Sequence, residues 1–454
     1  MKLRIAVAQT PGSRIAAWRE TLERITSLVT DAAGHGADVV LLPECVWPAY
    51  VLASPAEYYA AREAGLPGPE FFLERLRDHA RRQHLAICAG YIDEQPPMLR
   101  NRAVLIDAHG RVRGTCDKCF LWDCDRGLFT PGQRIEPVDA PWGPVGMMIC
   151  ADARLPEIPA TLVARGARLI LQPTAWVNVG TAEQPWNPQP ELLIPERCRE
   201  LGIPIASASK WGREADTPFV GSSIICDAAG RILAQCRPDR TELIAADVTL
   251  HPPRAARLSA SLRERLLAPR PASPPAADAG LLRVAIEPDG RVRLTNVPAT
   301  RAEPAAGRHA MPRSEADTPG TEAGPVVLEG PRSEPVRVGR ALVGATGDHD
   351  ADGFAPIRAM ALDGVHVVLV FGDRAAERTL RCRAAENRVF IIRVARGTLH
   401  ALAPDGNAVP AERDTPAACD ATPRFVLDLA RAADKHFAPG TDPFADRRPE
   451  LYTF

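Results

Sequence analysis

Apolar residues in the first 265 positions recur in two ways, at helical spacing and in short unbroken runs. Two sets at helical spacing predict one helix each: Leu22, Ile25, Val29 and Ala32 in the first, and Phe72, Leu76 and Ala80 in the second. Unbroken apolar runs predict strands that are buried on both faces: Ile5–Val7, Asp38–Leu42, Leu85–Ala89, Val145–Ile149 and Leu169–Gln172. Strands that alternate with helices in this way predict an α/β protein with layered sheets.

The pattern changes near residue 266, where proline and alanine replace the periodic apolar positions. We interpret residues 266–335 as a linker or long surface loop, which predicts rapid proteolytic nicking there. Within it, Leu282–Leu294 reads as a short hairpin that turns at Asp289-Gly290. This segment separates a first domain, residues 1–265, from a last stretch, residues 336–454.

The stretch 336–454 repeats part of the pattern of the first domain. Arg154–Thr174 and Gly353–Gly372 each read as a helix, a glycine and a buried strand. Arg197–Ala208 and Arg383–Ala395 form a second parallel pair. Such a repeat predicts duplication of one supersecondary block. The chain is therefore expected to end in a partial repeat of the same α/β block, followed by a C-terminal tail.

Composition and charge narrow the class of protein. The 55 Lys and Arg residues nearly cancel 56 Asp and Glu residues, so charge does not favour nucleic acid or a membrane surface as a partner. The chain has no run of about 18 apolar residues, so we expect no transmembrane helix. The first residues turn polar too early for a signal peptide. The 11 cysteines are scattered and several lie in apolar runs, which favours reduced thiols and a cytoplasmic location.

The first candidate for chemistry is a cysteine at the end of an apolar strand. Val145–Ile149 leads into Cys150, and the turn Ala151-Asp152 then opens a helix. A nucleophile on a strand-to-helix turn is held rigidly beside backbone N–H donors. The alternative is an inert cysteine of the core, which is what most single buried cysteines are.

Two charged residues stand in comparable places. Glu44 follows the buried strand Asp38–Leu42, and ligands gather at the carboxyl ends of such strands. Lys118 stands alone among apolar, aromatic and acidic residues, where it can be partly buried and paired with carboxylates. The alternatives are a solvated glutamate in a loop and a surface lysine that lies over aromatic rings.

Taken in the order Glu44, Lys118 and Cys150, these residues resemble the catalytic set of the nitrilase superfamily of carbon–nitrogen hydrolases. The resemblance extends from residue 3 to about residue 250. Further segments agree in order and spacing: Pro173–Trp176, Arg197 with Glu200, Phe219–Ser223, Asp227–Gly230 and the C-terminal stretch Thr441–Tyr452.

This resemblance implies a four-layer α-β-β-α sandwich and a homo-oligomer that pairs through a helical face. It implies that Cys150 is the nucleophile, that Glu44 is the general base and that Lys118 stabilises the oxyanion, without metal or cofactor. Members usually carry a second glutamate between the lysine and the cysteine. Here Asp125 stands at the aligned position, one methylene shorter, and is expected to hold Lys118 charged and oriented.

Two departures from the family pattern refine the expected substrate. Enzymes of the family that act on nitriles typically have Trp-Glu directly after the cysteine, where this chain has Ala151-Asp152. The amidase and carbamoylase branches fit better, so linear amides or N-carbamoyl compounds are the expected small-molecule substrates. In the partial repeat, Asp348 stands opposite Cys150, and that copy is expected to be non-catalytic.

The resemblance also suggests which residues bind the substrate. Tyr50, Trp122 and Trp176 are expected to be pocket walls, and the backbone N–H near Ala151 to be an oxyanion donor. A carbamoyl substrate often carries a carboxylate that needs a cation, and three residues are candidates to bind it: Arg154, Lys210 and Arg213.

Other functions fit parts of the same sequence. Cys116, Cys119 and Cys124 form a C-x2-C-x4-C spacing that can hold zinc or an iron–sulfur cluster, although no fourth ligand lies close by. The chain can also be a binding or scaffold protein that keeps the fold without catalysis. A third alternative is an acyltransferase that passes the same thioester to an amine or alcohol.

Overall fold

A computed structural model describes residues 1–253, 258–269, 280–287, 289–297, 325–412 and 423–454. The chain divides into two compact units. Unit 1 comprises Met1–Pro269 together with His436–Phe454, and unit 2 comprises Arg270–Lys435. Among the described residues, no helix is both long enough and apolar enough to cross a membrane.

Unit 1 contains strands and helices in the alternating order that the sequence predicts. Its strands are β1 (Lys2–Pro11), β2 (Val39–Leu41), β3 (Ala86–Gln95), β4 (Met98–Ile106), β5 (Val112–Asp117), β6 (Val138–Ala140), β7 (Gly143–Met147), β8 (Leu169–Pro173), β9 (Ile205–Ala208), β10 (Lys210–Glu214), β11 (Thr217–Val220), β12 (Ile224–Cys226), β13 (Ile232–Gln235) and β14 (Glu242–Thr249). Its α-helices are α1 (Trp18–Gly34), α2 (Pro55–Glu63), α3 (Pro69–Gln83), α4 (Glu157–Ala164), α5 (Ile194–Leu201) and α6 (Ala260–Leu267). Short 3-10 turns cover Ile15–Ala17, Asp123–Asp125, Cys150–Arg154 and Pro449–Leu451.

These strands form two sheets with parallel centres. The first sheet has the order β11-β10-β1-β2-β3-β4-β5, with β14 also paired to β1, and β1, β2 and β3 run parallel. The second has the order β13-β12-β9-β8-β7-β6, and β7, β8 and β9 run parallel. Parallel central strands are covered on both faces, which is why their sequences are unbroken apolar runs.

The two sheets pack face to face, with helices on both outer sides. β2 and β3 contact β8, and β1 contacts β9. Helices α1 and α3 cover the first sheet, while α4 and α5 cover the second. The predicted apolar faces of α1 and α3 are buried, as Val29 and Phe72 illustrate. The four-layer α-β-β-α sandwich is therefore confirmed.

The last residues of the chain, His436–Phe454, belong to unit 1. Nε of Arg447 lies 2.9 Å from Oε1 of Glu157 at the start of α4, and both side chains are buried. A buried cation needs such a partner, so this pair fixes the segment on unit 1. We call His436–Phe454 the C-terminal segment.

Unit 2 contains two further sheets. Its strands are β15 (Leu281–Ile286), β16 (Val292–Val297), β17 (Val326–Leu328), β18 (Val336–Val338), β19 (Ala341–Gly347), β20 (Val367–Phe371), β21 (Phe390–Ala395), β22 (Thr398–Leu402) and β23 (Arg424–Asp428). Its helices are α7 (Asp348–Ala351), α8 (Phe354–Leu362), α9 (Glu377–Asn387) and α10 (Ala430–Ala433). The sheet orders are β17-β16-β15-β23 and β18-β19-β20-β21-β22.

Part of the segment interpreted as a linker is folded. β15 and β16 form the hairpin expected around Asp289-Gly290, and β23 pairs with the other edge of β15. The alternating residues Leu282 and Val284 are fully buried, so their side chains build a core. The Pro- and Ala-rich stretches 270–279 and 298–324, for which proteolytic nicking is predicted, lie outside the described residues.

The second sheet of unit 2 has the same plan as the second sheet of unit 1. β19, β20 and β21 are parallel, with antiparallel strands β18 and β22 on the two edges. In unit 1, β7, β8 and β9 are parallel between β6 and β12. Asp348 follows β19 as Cys150 follows β7. Duplication of one block, the origin we propose for this correspondence, remains a prediction.

Candidate active site

Glu44 lies just beyond the carboxyl end of β2, in the middle of the first sheet. Its side chain is fully buried, and Oε1 accepts hydrogen bonds from Nδ2 of Asn101 and Nζ of Lys118, each at 2.7 Å. Oε2 is also buried and has no hydrogen-bond partner among the residues that the structure describes. Burial raises the pKa of Glu44, and the ammonium of Lys118 opposes that effect. A raised pKa suits a carboxylate that has to accept a proton near neutral pH.

The backbone of Glu44 is held by a close approach of β3. A Cβ added to Gly90 would lie 2.7 Å from Cα of Glu44 and 2.7 Å from the carbonyl oxygen of Pro43. Real Cβ atoms do not come so close to backbone, so only glycine fits at position 90 without a shift of Glu44. The backbone of β3 is therefore closely packed against the backbone of Glu44.

Lys118 directly follows β5 and its side chain is fully buried between two carboxylates. Nζ lies 2.7 Å from Oε1 of Glu44 and 2.6 Å from Oδ2 of Asp125. Burial lowers the pKa of Lys118, but the charges of Asp125 and Glu44 outweigh it and hold the pKa well above its ordinary value. Lys118 is therefore a fixed ammonium at every physiological pH.

Asp125 is oriented by the turn that carries it. Its Oδ2 accepts the backbone N–H of Trp122 at 2.7 Å in addition to the lysine, and its Oδ1 accepts the hydroxyl of Tyr50 at 2.9 Å. Asp125 is fully buried. The carboxylate is therefore locked by three donors, and the lysine in turn is locked by the carboxylate.

Cys150 begins the turn after β7 in a left-handed backbone conformation, with φ of +46°. Its carbonyl oxygen accepts Nε2 of Gln172 at 2.8 Å, and its Sγ lies 3.8 Å from the carbonyl oxygen of Ala175. Left-handed φ is unusual for a residue other than glycine and is a common feature of functional sites. Burial raises the pKa of the Cys150 thiol to about 12, with a further upward contribution from Glu44 and a downward one from Lys118. The thiol therefore needs a base beside it to react at neutral pH.

Asp152 braces the turn that starts at Cys150. Its carboxylate accepts backbone N–H groups of Ile149 at 2.8 Å, Phe120 at 2.8 Å and Cys119 at 3.1 Å. Burial raises the pKa of Asp152 to about 7 despite these donors. One side chain thus ties the strand before Cys150 to the segment after Lys118.

A small cavity opens beside the thiol. Its lining comprises Tyr50, Trp122, Cys150, Ala151, Arg154, Ala175, Val177, Asn187 and Gln189. Tyr50, Trp122 and Ala151 thus lie where the sequence analysis expected them. Trp176 does not line the cavity: it is fully buried, and its backbone N–H donates to Oγ of Ser209 at 3.2 Å. Its neighbours Ala175 and Val177 face the cavity because successive residues of an extended chain point to opposite sides.

Of the three cations considered for a carboxylate, only Arg154 lines this cavity. Its guanidinium carbon lies 4.6 Å from the ring centroid of Trp122 and 4.9 Å from that of Phe437. Lys210 is instead buried in an ion pair with Glu214 at 2.8 Å. Arg213 is exposed and donates to a backbone carbonyl.

The sequence analysis missed polar residues that orient the site. Asn101 donates to Glu44, and Gln172 links the carbonyl oxygen of Cys150 to Gln189 on the cavity wall, 3.2 Å away. Gln172 interrupts the apolar, buried strand β8, which is the signal that marks it. Asn101 lies between the half-buried Arg100 and Arg102 in β4, at a buried position of an alternating pattern. A buried polar side chain in such a strand needs a hydrogen-bond partner.

Of the cysteines at C-x2-C-x4-C spacing, Cys116 and Cys119 share one neighbour, because their Sγ atoms lie 4.0 and 3.5 Å from the carbonyl oxygen of Asp117. Sγ of Cys119 lies 3.5 Å from two backbone carbonyl oxygens, while Sγ of Cys124 lies 3.5 Å from the hydroxyl of Tyr50. Within the described part of the chain, no group of three or more His, Cys, Asp or Glu side chains is arranged to hold a metal ion.

Comparison with known proteins places this geometry in a family. The family described as carbon–nitrogen hydrolase matches residues 4–257, more than half of the chain. A deaminated glutathione amidase of Yersinia enterocolitica is 29% identical over 49% of this chain and 78% of its own length. The omega-amidase NIT2 of Danio rerio is 28% identical over 55% of this chain and 89% of its own length. A solved amidase from Nesterenkonia sp. is 28% identical over 54% of this chain and 89% of its own, with a TM-score of 0.46.

Proposed function

Because the chain belongs to the carbon–nitrogen hydrolase family, we propose that it cleaves an amide or N-carbamoyl bond of a small molecule through a thioester on Cys150. The observation that carries this proposal is the proximity of three buried side chains. Nζ of Lys118 lies 2.7 Å from Oε1 of Glu44, and the charges of both residues act on the thiol of Cys150, which lines the cavity. Glu44, Lys118 and Cys150 come from the ends of β2, β5 and β7, which lie in two different sheets. A structural core has no need for three such groups in one buried place.

The first half-reaction forms the thioester. Glu44 accepts the thiol proton, and the Cys150 thiolate attacks the carbonyl carbon of the substrate. Negative charge grows on the carbonyl oxygen, where the ammonium of Lys118 and the backbone N–H near Ala151 stabilise it, each by about 3–4 kcal/mol. The proton then passes from Glu44 to the leaving nitrogen, the carbon–nitrogen bond breaks, and ammonia or an amine departs.

The second half-reaction hydrolyses the thioester with the same groups. Glu44 takes a proton from water, and the resulting hydroxide attacks the thioester carbonyl. The oxyanion forms again beside Lys118 and collapses with expulsion of the Cys150 thiolate, which recovers its proton from Glu44. The carboxylic or carbamic acid leaves, and the enzyme returns to its starting state.

The charges around Lys118 support these roles. One ammonium between two carboxylates stays protonated, so it can stabilise an oxyanion but cannot act as the base. Asp125 holds Lys118 and is occupied on both oxygens by donors. Of the two carboxylates at Lys118, only Glu44 keeps an oxygen without a protein partner among the described residues. This makes Oε2 of Glu44 the proton acceptor.

The lining of the cavity supports an amide or N-carbamoyl substrate with a negative group. Arg154 on its wall offers a guanidinium, which recognises carboxylates through paired hydrogen bonds. A linear ω-amide or N-carbamoyl compound with a carboxylate at its far end combines these requirements.

The test is release of ammonia from a panel of primary amides and N-carbamoyl compounds, each with and without a distal carboxylate. We expect release by the wild type, none by Cys150→Ala, and full release by Cys88→Ala, a buried thiol of β3 outside the cavity. Equal release by wild type and Cys150→Ala would remove Cys150 from the mechanism. No release by the wild type, with Cys150 unreactive toward a thiol probe, would favour a binding protein without catalysis.

A further inference from the structure

The C-terminal segment reaches the active site although the whole of unit 2 precedes it in the sequence. It lies outside residues 4–257, which match the hydrolase family. Its contacts on unit 1 nevertheless include the turn that carries Asp125 and the arginine on the cavity wall. These two contacts are made by Thr441 and Phe437.

Thr441 caps the turn of Asp125 from outside. Its Oγ1 accepts the backbone N–H of Asp123 at 2.8 Å, and Thr441 itself is fully buried. On the other side of Asp125, Arg126 forms an ion pair with Asp446 of the same segment. The C-terminal segment therefore contacts the residue two positions before Asp125 and the residue directly after it.

Phe437 closes one face of Arg154. The guanidinium carbon lies 4.6 Å from the ring centroid of Trp122 and 4.9 Å from that of Phe437, so two aromatic rings flank it. A guanidinium stacks on aromatic faces, so the two rings fix the plane of the Arg154 guanidinium. The phenyl ring thus sets the orientation of the one cavity-lining cation among the described residues.

Further contacts fix the segment firmly enough to transmit these effects. Arg447 pairs with Glu157 in a buried position, at 2.9 Å, and Arg448 donates to Oε1 of Gln133 at 2.6 Å. At the far end, the backbone N–H of Thr453 donates to Oγ1 of Thr161 at 3.0 Å. All three anchors follow Phe437 and Thr441 in the sequence and hold the end of the segment on unit 1.

We infer that the C-terminal segment completes the active site, with Thr441 a positioning residue for Asp125 and Phe437 a positioning and specificity-determining residue for Arg154. The inference rests on the proposed function, and it adds residues beyond the family match to that site. Thr441 acts on the chemical step, since Asp125 holds the oxyanion-stabilising Lys118. Phe437 acts on recognition of a carboxylate-bearing substrate.

The test compares Thr441→Val, Phe437→Leu and the control Thr453→Val in the full chain, on an amide that the wild type hydrolyses and on a neutral analogue. Thr453→Val removes an exposed hydroxyl of the same segment, which accepts from Arg165 at 3.0 Å. Loss of one buried hydrogen bond predicts a fall in kcat of about fivefold for Thr441→Val on both substrates, with little change in KM. Loss of a desolvated cation–π contact predicts a rise in KM of about tenfold for Phe437→Leu on the carboxylate substrate only.

Thermal melting of each variant separates positioning from stability. A merely structural segment would lower the melting temperature of all three variants and leave the KM ratio of the two substrates unchanged, which would overturn the inference. Kinetics of Thr441→Val and Phe437→Leu equal to those of Thr453→Val would also overturn it, while leaving the proposed function intact. Failure of the proposed function would instead appear as an inactive wild type or an active Cys150→Ala.

Discussion

Asp125→Asn tests whether charge, and not shape alone, holds Lys118 in the proposed oxyanion site. The asparagine can keep the geometry: its oxygen can accept from Lys118 and the N–H of Trp122, while its amide group donates to Tyr50, whose hydroxyl can turn. The substitution therefore removes one negative charge from a fully buried site and little else. The carboxylate of Asp125 is the leading cause that raises the pKa of Lys118, so that pKa falls.

The size of the effect follows from the two ion pairs of Lys118, at 2.6 and 2.7 Å. Removal of one partner from a buried ion pair costs about 3–5 kcal/mol. Glu44 still pairs with the lysine, so we expect a loss of about 3 kcal/mol in unfolding free energy, the lower end of that range. A misplaced or weakened oxyanion donor lowers kcat by about 10²- to 10³-fold.

Two measurements check this, the kcat of ammonia release and unfolding in urea. Asp125→Glu is the matched control, because it keeps the charge and adds one methylene to a packed site, at a cost of about 1–3 kcal/mol in stability. We expect Asp125→Glu to be the more active of the two variants. A kcat for Asp125→Asn within about threefold of the wild type would refute an electrostatic role of Asp125 on the scale of an oxyanion donor.

Three further predictions concern the same site. Glu44→Gln removes the general base and should lower kcat by at least about 10²-fold without loss of fold, as measured by ammonia release and circular dichroism; near-normal turnover would assign the base elsewhere. Gly90→Ala should push the backbone of Glu44 and lower both kcat and melting temperature, whereas Gly34→Ala, with open space around its Cβ, should change neither. The pKa of Lys118 is raised on folding, so its stabilising contribution is complete below its unfolded pKa of about 10.4 and is lost only as pH rises through the higher folded value. The free energy of unfolding should therefore not fall through Lys118 between pH 7 and about 10. In Asp125→Asn this fall should begin at lower pH, as measured by urea unfolding at a series of pH values.

The positions of Glu44 and Cys150 at strand ends were predictable because each residue follows a strong local pattern. Glu44 and Cys150 each follow an apolar run that has to be a buried strand, and such strands end at a common edge. The four-layer sandwich follows from the same runs, since strands without polar alternation must be covered on both faces. The structure brings Asp125 to Lys118, as the resemblance implied, because the intervening residues form a short turn.

Other features depend on contacts between residues far apart in sequence. Trp176 was expected at the pocket, but the direction of a side chain in an extended segment changes with each residue, and sequence alone does not set that register. Leu282 and Val284 alternate as a strand should, yet their partner β23 lies more than a hundred residues later and the neighbouring composition is rich in proline. The packing of the C-terminal segment on unit 1 could not be predicted from the sequence either, because the Arg447–Glu157 pair joins residues 290 positions apart.

The central claim, that Cys150 carries the acyl group during turnover, is tested most directly by rapid acid quench and mass spectrometry. Wild-type protein is mixed with an amide that it hydrolyses, quenched during the first turnover, and digested for peptide mapping. The account predicts a mass gain equal to the acyl group on the peptide that contains Cys150, released ammonia in equal amount, and neither in Cys150→Ala. Ammonia release without an adduct on Cys150, at the same rate in Cys150→Ala, would contradict the account.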